Sequence, residues 1–286
     1  MCASSSLVKS NDPAPKKRLG QHFLRDTGAV KRIMQWIQPR PEDSFLEIGA
    51  GDGALSIRLA SSVARLIAVE FDSDCIPLLK KKLEPFSHAV VVEGDILKLD
   101  LSKNLNSYMQ PGQKWRIAGN LPYNIGSAII ERMLDSHIPI KDMFFMVQLE
   151  VAQRITAQPG SRQYGYLSVH CQHRSTVRMG PKISPGSFVP RPRVHSAMVS
   201  IKPKSETPDT NFESAFREVA KAAFAYRRKT LQNSIRRNET FRHISTDLLK
   251  KAEIDGKRRA EQLSVEEYEH LALIYHTRFL IPDQNG

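Results

Sequence analysis

The amino-acid sequence predicts an α/β protein: a mainly parallel sheet closed at one end by an antiparallel strand pair, followed by a small all-helical domain. Three observations support this prediction. Short apolar runs alternate with helical patterns through the first two-thirds of the chain. A linker rich in proline, lysine and polar residues begins at Lys202. Beyond this linker, the apolar residues recur at helical spacing.

The predicted parallel strands are short runs dominated by apolar residues, as expected for strands that are buried on both faces. They lie at Phe45–Ile48, Leu66–Glu70, Ala89–Glu93, Arg116–Gly119 and Met143–Val147. Stretches with helical character lie between strands, at Gly53–Ser62, Ser73–Leu83 and Ser127–Ser136. This alternation of strands and helices is typical of a parallel sheet.

The pattern changes after Tyr164. Residues 167–173 alternate in character along the chain, which predicts a strand with one solvent-facing side. A second strand is expected at Ser196–Lys202, after a proline-rich loop, and these two strands would form the antiparallel pair. Near the end of the chain, Ser264 and Glu267 have the spacing of a capping box that opens the last helix.

We expect three segments: a disordered tail over residues 1–15, the sheet domain over residues 16–205 and the helical domain over residues 206–286. The tail is rich in serine, contains two prolines and lacks the apolar core of a signal peptide. The three cysteines are odd in number and widely spaced, which favours reduced thiols. No stretch approaches the ~20 apolar residues that a membrane helix needs. These features predict a soluble, cytoplasmic protein without membrane association.

The chain is strongly basic, with 42 Lys and Arg residues against 30 Asp and Glu residues and a net charge of +12. Residues 151–205 contain nine basic residues and no acidic one, and a second acid-free run spans residues 226–237. Basic surfaces of this kind attract polyanions, of which nucleic acid is the commonest and an anionic membrane the alternative. We therefore predict nucleic-acid binding, with RNA contacts from Arg191, Arg193, Arg227, Arg228 and Lys229.

A glycine-rich turn, Leu46-Glu-Ile-Gly-Ala-Gly-Asp-Gly53, lies between the first predicted strand and a helix. Its glycines permit a tight turn and let a ligand approach the backbone at the helix N-terminus. Dinucleotide-binding folds have a similar turn, so the turn alone does not define the ligand. Glu47 and Asp52 in this turn are poor neighbours for a pyrophosphate, but they are tolerable beside a cationic ligand.

Acidic residues also stand at the ends of the next two predicted strands, with Glu70 closing the second and Asp95 following the third. A carboxylate at the first of these positions suits a ribose diol. A carboxylate at the second can accept a hydrogen bond from the exocyclic amine of adenine. Together with the glycine-rich turn, these positions fit S-adenosylmethionine better than NAD.

The fourth predicted strand is followed by the tetrapeptide Asn120-Leu-Pro-Tyr123. The carboxamide oxygen of Asn120 and the main-chain carbonyl of Leu121 can accept both N–H bonds of an amine conjugated to a base. This localises the nitrogen lone pair toward a methyl donor. Pro122 fixes its φ angle at about −65°, and Tyr123 offers a ring on which an extruded base can stack. Catalysis would then depend mostly on orientation and charge placement.

Four separated motifs resemble those of the rRNA adenine N6,N6-dimethyltransferase family, and specifically its housekeeping small-subunit branch. They lie at residues 17–24, 47–53, 120–123 and 185–196, and residues 224–233 of the helical part are also similar. The resemblance implies a class I methyltransferase sheet of the Rossmann-like type, a helical C-terminal domain that binds RNA or the ribosome, and S-adenosylmethionine as the methyl donor.

The resemblance also implies roles for individual residues. The residues implied to bind the cofactor are His22, Leu24, Gly49, Gly51, Glu70, Asp95 and Asn120. His22 stands where the family often has asparagine, so its contact is expected through the backbone. Phe188 is implied as the second wall of the base pocket, opposite Tyr123. The implied reaction dimethylates two adjacent adenines near the 3′ end of small-subunit rRNA, within a partly assembled particle, and nothing in the sequence demands more than a monomer.

Three alternatives remain open at this point: a resistance-type enzyme acting on large-subunit rRNA, a catalytically silent assembly factor on the same fold, and a nicotinamide dehydrogenase. Leu121 and residues 227–230 favour the small-subunit branch by resemblance. The intact tetrapeptide and strand-end carboxylates favour an active methyltransferase. We expect no metal site at His170, Cys171 and His173, because alternation along a strand would place His170 on the opposite face from the other two.

Overall fold

The computed structural model describes Pro13 and residues 15–106, 108, 112–204 and 210–280. The strands in this part of the chain are β1 Phe23–Leu24, β2 Ser44–Ile48, β3 Arg65–Glu70, β4 Ala89–Glu93, β5 Trp115–Asn120, β6 Ile140–Gln148, β7 Ser175–Ile183, β8 Phe188–Val189 and β9 Ser196–Pro203. The α-helices are α1 Thr27–Ile37, α2 Ser56–Ala60, α3 Ile76–Leu83, α4 Leu101–Asn106, α5 Gly126–Leu134, α6 Leu149–Ile155, α7 Tyr166–Arg174, α8 Thr210–Phe224, α9 Leu231–Ile235, α10 Ser245–Lys251 and α11 Val265–Tyr275.

The central sheet has seven strands in the order β4-β3-β2-β5-β6-β9-β7. The pairs β2/β3, β3/β4, β2/β5 and β5/β6 are parallel. All five residues of β2 are buried, which explains why this strand is almost continuously apolar. Because the strands are parallel, the residues that follow β2, β3, β4 and β5 meet at one edge of the sheet.

The last two strands of the sheet, β9 and β7, run antiparallel. The N–H of Lys204, just after β9, donates to the carbonyl of Arg174, just before β7, at 2.9 Å. Farther along the two strands, a Cβ added at Gly180 would lie 3.0 Å from the Cβ of Met198. The predicted fold class, a mainly parallel sheet with an antiparallel pair at one end, is therefore confirmed.

The five predicted parallel strands correspond to β2–β6, with ends that differ by three residues or fewer. The strand predicted at residues 167–173 is wrong, because this segment forms helix α7. Six of its nine residues are buried. The polar residues of α7 are therefore not confined to one face of the helix, and the helical period is absent from the sequence. Such a segment can resemble a strand with alternating sides. The first strand of the antiparallel pair is β7, which follows α7 directly.

The chain divides into two compact units, residues 1–132, 136–148 and 180–198 in the first and residues 133–135, 149–179 and 199–286 in the second. In the first unit, helix α1 and the central strands share one hydrophobic core that includes Ile33, Phe45 and Leu66. In the second unit, α8 and α11 contribute Phe216 and Leu271 to a separate core. The predicted boundary between residues 205 and 206 and nearly all of the predicted tail lie outside the described residues.

His170, Cys171 and His173 lie on helix α7. Alternating strand faces therefore do not separate these residues, and the reason given above for excluding a metal is wrong. Both ring nitrogens of His173 instead bond to carboxylates, to Glu269 at 2.7 Å and to Glu213 at 3.0 Å. In the described part of the chain, no group of His, Cys, Asp and Glu is arranged to hold a metal ion.

No described helix is long and apolar enough to cross a membrane.

The capping box predicted at Ser264 is confirmed and provides a first test of the fold. The Ser264 hydroxyl accepts from the N–H of Glu267 at 3.2 Å, and the Glu267 carboxylate accepts from the N–H of Ser264 at 2.8 Å. We expect Ser264→Ala to lower the free energy of unfolding by about 1 kcal/mol. Urea denaturation measures the change, and Ser61→Ala, which removes an exposed serine hydroxyl at the end of α2, is the control with a change within about 0.5 kcal/mol. An equal loss in both variants would contradict the capping role.

Candidate active site

A cavity of about 290 Å³ opens in the first unit, at the edge of the sheet where β2, β3, β4 and β5 end. Ten residues predicted from the sequence line it: His22, Leu24, Gly49, Gly51, Glu70, Asp95, Asn120, Leu121, Pro122 and Tyr123. Parallel strands place their carboxyl ends at the same edge of the sheet. The glycine-rich turn, the two strand-end carboxylates and the tetrapeptide lie at those ends, and His22 and Leu24 belong to the N-terminal segment beside them.

The turn after β2 contains three glycines with φ in the left-handed region, Gly49, Gly51 and Gly53. Gly49 and Gly51 have φ angles of +71° and +56°, in the left-handed region that favours glycine. A Cβ on Gly51 would also lie 3.2 Å from the ring of Phe23, so a side chain here would press on the cavity wall. The N–H of Gly51 donates to the Glu70 carboxylate at 2.6 Å, which ties the turn to the end of β3.

Glu70 is held rigidly at the end of β3. Its two carboxylate oxygens accept from the main-chain N–H of Gly51 and from that of Asp72, the latter at 2.7 Å. Glu70 is buried, and this burial raises its pKa above the ordinary value. The carboxylate therefore has a fixed position in the cavity wall, and its charged form is favoured further by any hydrogen-bond donor that binds there.

Two further carboxyl groups, those of Glu47 and Asp52, lie beside the glycine-rich turn. Burial raises the pKa of Glu47 to about 8, and the nearby carboxylates of Glu70 and Asp52 act in the same direction. Asp52 is buried and forms an ion pair with Arg25, while the Lys82 ammonium donates to its main-chain oxygen at 2.6 Å. A cluster of buried carboxyl groups is a favourable environment for a cationic ligand and an unfavourable one for a pyrophosphate.

Asp95 lies in the loop after β4 and is more accessible than Glu70. One of its carboxylate oxygens accepts from the N–H of Leu97 at 2.9 Å, and its side chain is 29% exposed. Because a carboxylate oxygen has two lone pairs, this turn leaves acceptor capacity toward the cavity.

Asn120 occupies the last position of β5, where its side chain is oriented by a neighbouring segment. Its amide nitrogen donates to the main-chain oxygen of His22 at 2.8 Å. With the nitrogen engaged, the carboxamide oxygen is the group left to accept from a ligand. Leu121 follows with its N–H bonded to the oxygen of Met146 at 3.1 Å, so the main chain of the tetrapeptide is anchored to β6.

The ring of Tyr123 is set by contacts at its two ends. Its hydroxyl lies 2.5 Å from the Ser196 hydroxyl, and its ring centroid lies 4.9 Å from that of the His22 imidazole, at an interplanar angle of 32°. The His22 Nδ1 atom is in turn 2.7 Å from the oxygen of Pro190, which makes this nitrogen the donor. Burial raises the pKa of Tyr123, so the phenol stays neutral.

Phe188 has a different environment from the one that the sequence implied. It is 2% exposed, pairs with Leu24 between β8 and β1, and packs into the hydrophobic core of the first unit. It is not among the residues that line the cavity. The aromatic ring beside Tyr123 is that of His22. The role of Phe188 as a wall of the base pocket stays a prediction.

The predicted RNA-binding residues are exposed, but they are not equivalent. Arg191 and Arg193 lie in the segment that leads from β8 to Ser196, the partner of Tyr123. Arg228 and Lys229 are exposed in the turn after α8. Arg227 instead donates to the main-chain oxygens of residues 162 and 164, at 2.8 and 3.3 Å, and so also holds a loop of the second unit.

Sequence reasoning missed three residues that shape this site. Gly119 precedes the tetrapeptide, and a Cβ there would collide with the main-chain oxygen of Ile48; a glycine inside a strand is a signal of such close approach. Asp72 bonds to Lys16 and Gln21 of the N-terminal segment, and Ser196 bonds to Tyr123. For these two, no local pattern indicates the partner, since both contacts join distant parts of the chain.

Comparison with known proteins places this geometry in a family. The ribosomal RNA adenine dimethylase model matches residues 14–277. The ribosomal RNA small subunit methyltransferase A of Pseudomonas aeruginosa is 40% identical over 258 residues, which cover 90% of this chain and 93% of that protein. The protein of the same name from Bacillus mycoides is 36% identical over 271 residues, covering 91% and 92%.

Two solved structures are similar to this chain over most of its length. A dimethyladenosine transferase from Plasmodium falciparum has a TM-score of 0.74 at 25% identity and covers 89% of this chain and 97% of its own. The 23S rRNA methyltransferase ErmE, at 24% identity and a TM-score of 0.65, covers 88% and 98% and shares the fold. Because the family model and the bacterial relatives span almost the whole chain, this protein belongs to the ribosomal RNA adenine dimethylase family.

Proposed function

We propose that this protein transfers methyl groups from S-adenosylmethionine to the N6 amines of two adjacent adenines near the 3′ end of small-subunit rRNA. Membership of the family makes it an S-adenosylmethionine-dependent rRNA adenine dimethyltransferase. The observation that supports the residue roles best is that the Asn120–Tyr123 tetrapeptide lines the same cavity as the strand-end carboxylates Glu70 and Asp95.

The residues of the cavity fit S-adenosylmethionine. The buried carboxyl groups of Glu47, Asp52 and Glu70 favour a ligand with positive charge, and the absence of a side chain at Gly51 leaves room beside Phe23. Glu70 would accept hydrogen bonds from the ribose hydroxyls, and Asp95 would accept one from the adenine amine. His22 and Leu24 would form the wall opposite the turn that contains Gly49.

S-adenosylmethionine, when bound, supplies a methyl group attached to a positively charged sulfur. The protein contributes orientation. The Asn120 carboxamide oxygen and the Leu121 carbonyl accept the N–H bonds of the target amine and direct its lone pair toward the methyl group. Pro122 keeps the Leu121 carbonyl in place, and Tyr123 stacks on the extruded base. Positioning of this kind can lower a barrier by about 7–11 kcal/mol. The N–C bond forms as the S–C bond breaks, the sulfur leaves as a neutral thioether without a general acid, and the methylated nitrogen releases its proton to solvent.

The RNA substrate is proposed to lie across the exposed basic segments of the chain. Arg191 and Arg193 precede Ser196, which places these two cations one short segment away from Tyr123 along the chain. In the helical unit, Arg228 and Lys229 adjoin Tyr226, whose ring is 44% exposed and lies 4.9 Å from the Arg237 guanidinium. An exposed tyrosine beside exposed cations is suited to stack on an unpaired base while the cations bind phosphates.

Salt dependence tests this surface. Each phosphate contact lowers the logarithm of the RNA affinity by about 0.7–0.9 per logarithm of salt concentration. We expect the double variant Arg228→Ala/Lys229→Ala to reduce this slope by about 1.4–1.8, measured by fluorescence anisotropy with labelled rRNA. The matched control, Lys80→Ala/Lys81→Ala, removes two exposed lysines of α3 and should leave the slope unchanged. If the double variant Arg228→Ala/Lys229→Ala has the same salt slope as the wild type, these two residues do not contact RNA phosphates.

The proposal extends to the particle and the compartment: a monomeric enzyme that acts on a partly assembled small subunit in the cytoplasm. Relatives named as small-subunit methyltransferases support this choice over a large-subunit substrate. Labelled S-adenosylmethionine would be incubated with unmethylated small subunits, large subunits and protein-free rRNA. Label in N6,N6-dimethyladenosine from the small subunit is the expected result. Label in the large subunit alone would contradict the small-subunit proposal, and bound cofactor without any transfer would contradict the enzyme proposal.

A further inference from the structure

We propose that Asp72 is a positioning residue of the cofactor cavity, because its carboxylate holds the N-terminal segment, residues 16–24, against the cavity and so slows release of the methyl donor. The inference rests on the proposed function in one respect, namely that this cavity binds S-adenosylmethionine. Asp72 itself does not line the cavity, and its effect would pass through the segment that it holds.

Asp72 forms a buried anchor just after β3. It is 3% exposed, and its two carboxylate oxygens accept from the Lys16 ammonium at 2.5 Å and from the Gln21 amide nitrogen at 2.8 Å. Burial acts to raise the pKa of Asp72, but the hydrogen bonds from Lys16 and Gln21 hold it below its ordinary value. The anchor is thus a charged group in a place where a charge without partners would be costly.

The N-terminal segment is folded so that the side chains of Lys16 and Gln21 reach the same carboxylate. The Gln21 side-chain oxygen accepts from the main-chain N–H of Lys16 at 2.8 Å, while its nitrogen donates to Asp72. Between them, Gly20 has a φ angle of +64°, and a Cβ added there would lie 2.9 Å from the Asn124 side-chain oxygen. The segment therefore approaches the catalytic tetrapeptide closely in a conformation that requires glycine.

The same segment forms one wall of the cavity. Leu19–Leu24 all line it, and the His22 oxygen accepts from the amide of Asn120. At the other end, the main-chain N–H of Asp72 donates to Glu70, the proposed ribose ligand. Asp72 thus connects the wall of the cavity to the carboxylate at the end of β3, and loosening this connection would open a path for the ligand.

The second ion pair of Lys16 is of a different kind. Its partner Asp74, at 2.6 Å, has a side chain that is 58% exposed, whereas the Asp72 side chain is 1% exposed. Exposed ion pairs contribute little to stability, and charge-assisted hydrogen bonds to buried groups contribute more. Asp72 is therefore the partner of Lys16 that holds the segment, and Asp74 contributes less.

The test measures association and dissociation of labelled S-adenosylmethionine by the full-length protein in rapid-mixing experiments. We expect Asp72→Asn and Lys16→Met each to raise the dissociation rate constant by about tenfold, with the association rate constant changed less than about twofold. Lys16→Arg keeps the charge and should retain slow dissociation. The double variant Asp72→Asn/Lys16→Met should release S-adenosylmethionine no faster than Asp72→Asn alone, because both changes break the same interaction.

Controls separate this role from a general loss of stability. Glu42→Gln removes one member of an exposed ion pair with Arg40 and should leave both rate constants unchanged, and the Tm of every variant is recorded without ligand. Faster release from Asp72→Asn and Lys16→Met, together with slow release from Lys16→Arg, supports the inference. Release at the wild-type rate from Asp72→Asn and Lys16→Met overturns it and leaves the proposed function intact. A wild-type protein that binds no S-adenosylmethionine overturns the proposed function and the inference with it.

Discussion

Replacing Asn120 by alanine is expected to lower kcat by about 10²–10³-fold, while cofactor affinity falls by about tenfold or less through loss of the bond to the His22 oxygen. The carboxamide oxygen is the acceptor proposed for the target amine, and alanine has no group that could localise the nitrogen lone pair. The cofactor should still bind because Glu70 and Asp95 are left in place. Single-turnover methyl transfer measures the chemical step, and equilibrium dialysis with S-adenosylmethionine measures binding.

A second substitution identifies which atom of Asn120 matters. The amide nitrogen donates to the His22 oxygen, so Asn120→Asp keeps an acceptor but loses this donor in its ionised form. We expect Asn120→Asp to be impaired as well, because the carboxylate is repelled by the carbonyl that holds the native amide. Turnover by Asn120→Ala at the wild-type rate would show that the proposed mechanism is wrong.

Replacing Glu70 by alanine is expected to weaken S-adenosylmethionine binding by at least about a hundredfold, since two hydrogen bonds between ribose hydroxyls and a charged group are lost. The matched control is Glu93→Ala. Glu93 pairs with Glu70 in the β3/β4 register and likewise ends its strand, but it is exposed and does not line the cavity. Isothermal titration calorimetry measures both affinities, and an equal loss in the two variants would contradict a specific role for Glu70.

The same carboxylate predicts how binding depends on pH. Burial raises the pKa of Glu70 above the ordinary 4.5 in the free protein, so the group becomes protonated at a higher pH than an exposed glutamate. Protonation removes acceptor capacity and negative charge, and cofactor affinity should therefore fall as the pH decreases through this raised pKa. Glu70→Gln should bind weakly with a flatter pH dependence across that range. A profile identical to that of the wild type would assign the titration to another group.

The parallel part of the sheet and the family were predictable from the amino-acid sequence alone. Strands β2–β6 are buried on both faces, so their apolar runs stand out locally and their ends are predicted to within a few residues. The glycine-rich turn, the strand-end carboxylates and the tetrapeptide are short motifs whose meaning depends on strand position. A parallel sheet brings them to one edge, as the cavity lining confirms. The resemblance, the fold class and the methyl donor are confirmed on these grounds.

The features that depend on contacts between distant segments could not be predicted from local sequence patterns. Helix α7 is covered on most sides, so its sequence carries no amphipathic period and imitates a strand. The ring beside Tyr123 is that of His22, while Phe188, which pairs with Leu24 between β8 and β1, packs in the core of the first unit. The bonds of Asp72 to Lys16 and Gln21 span more than fifty residues. Local sequence patterns record propensity and burial, whereas the partner of a polar side chain is set by how the whole chain packs.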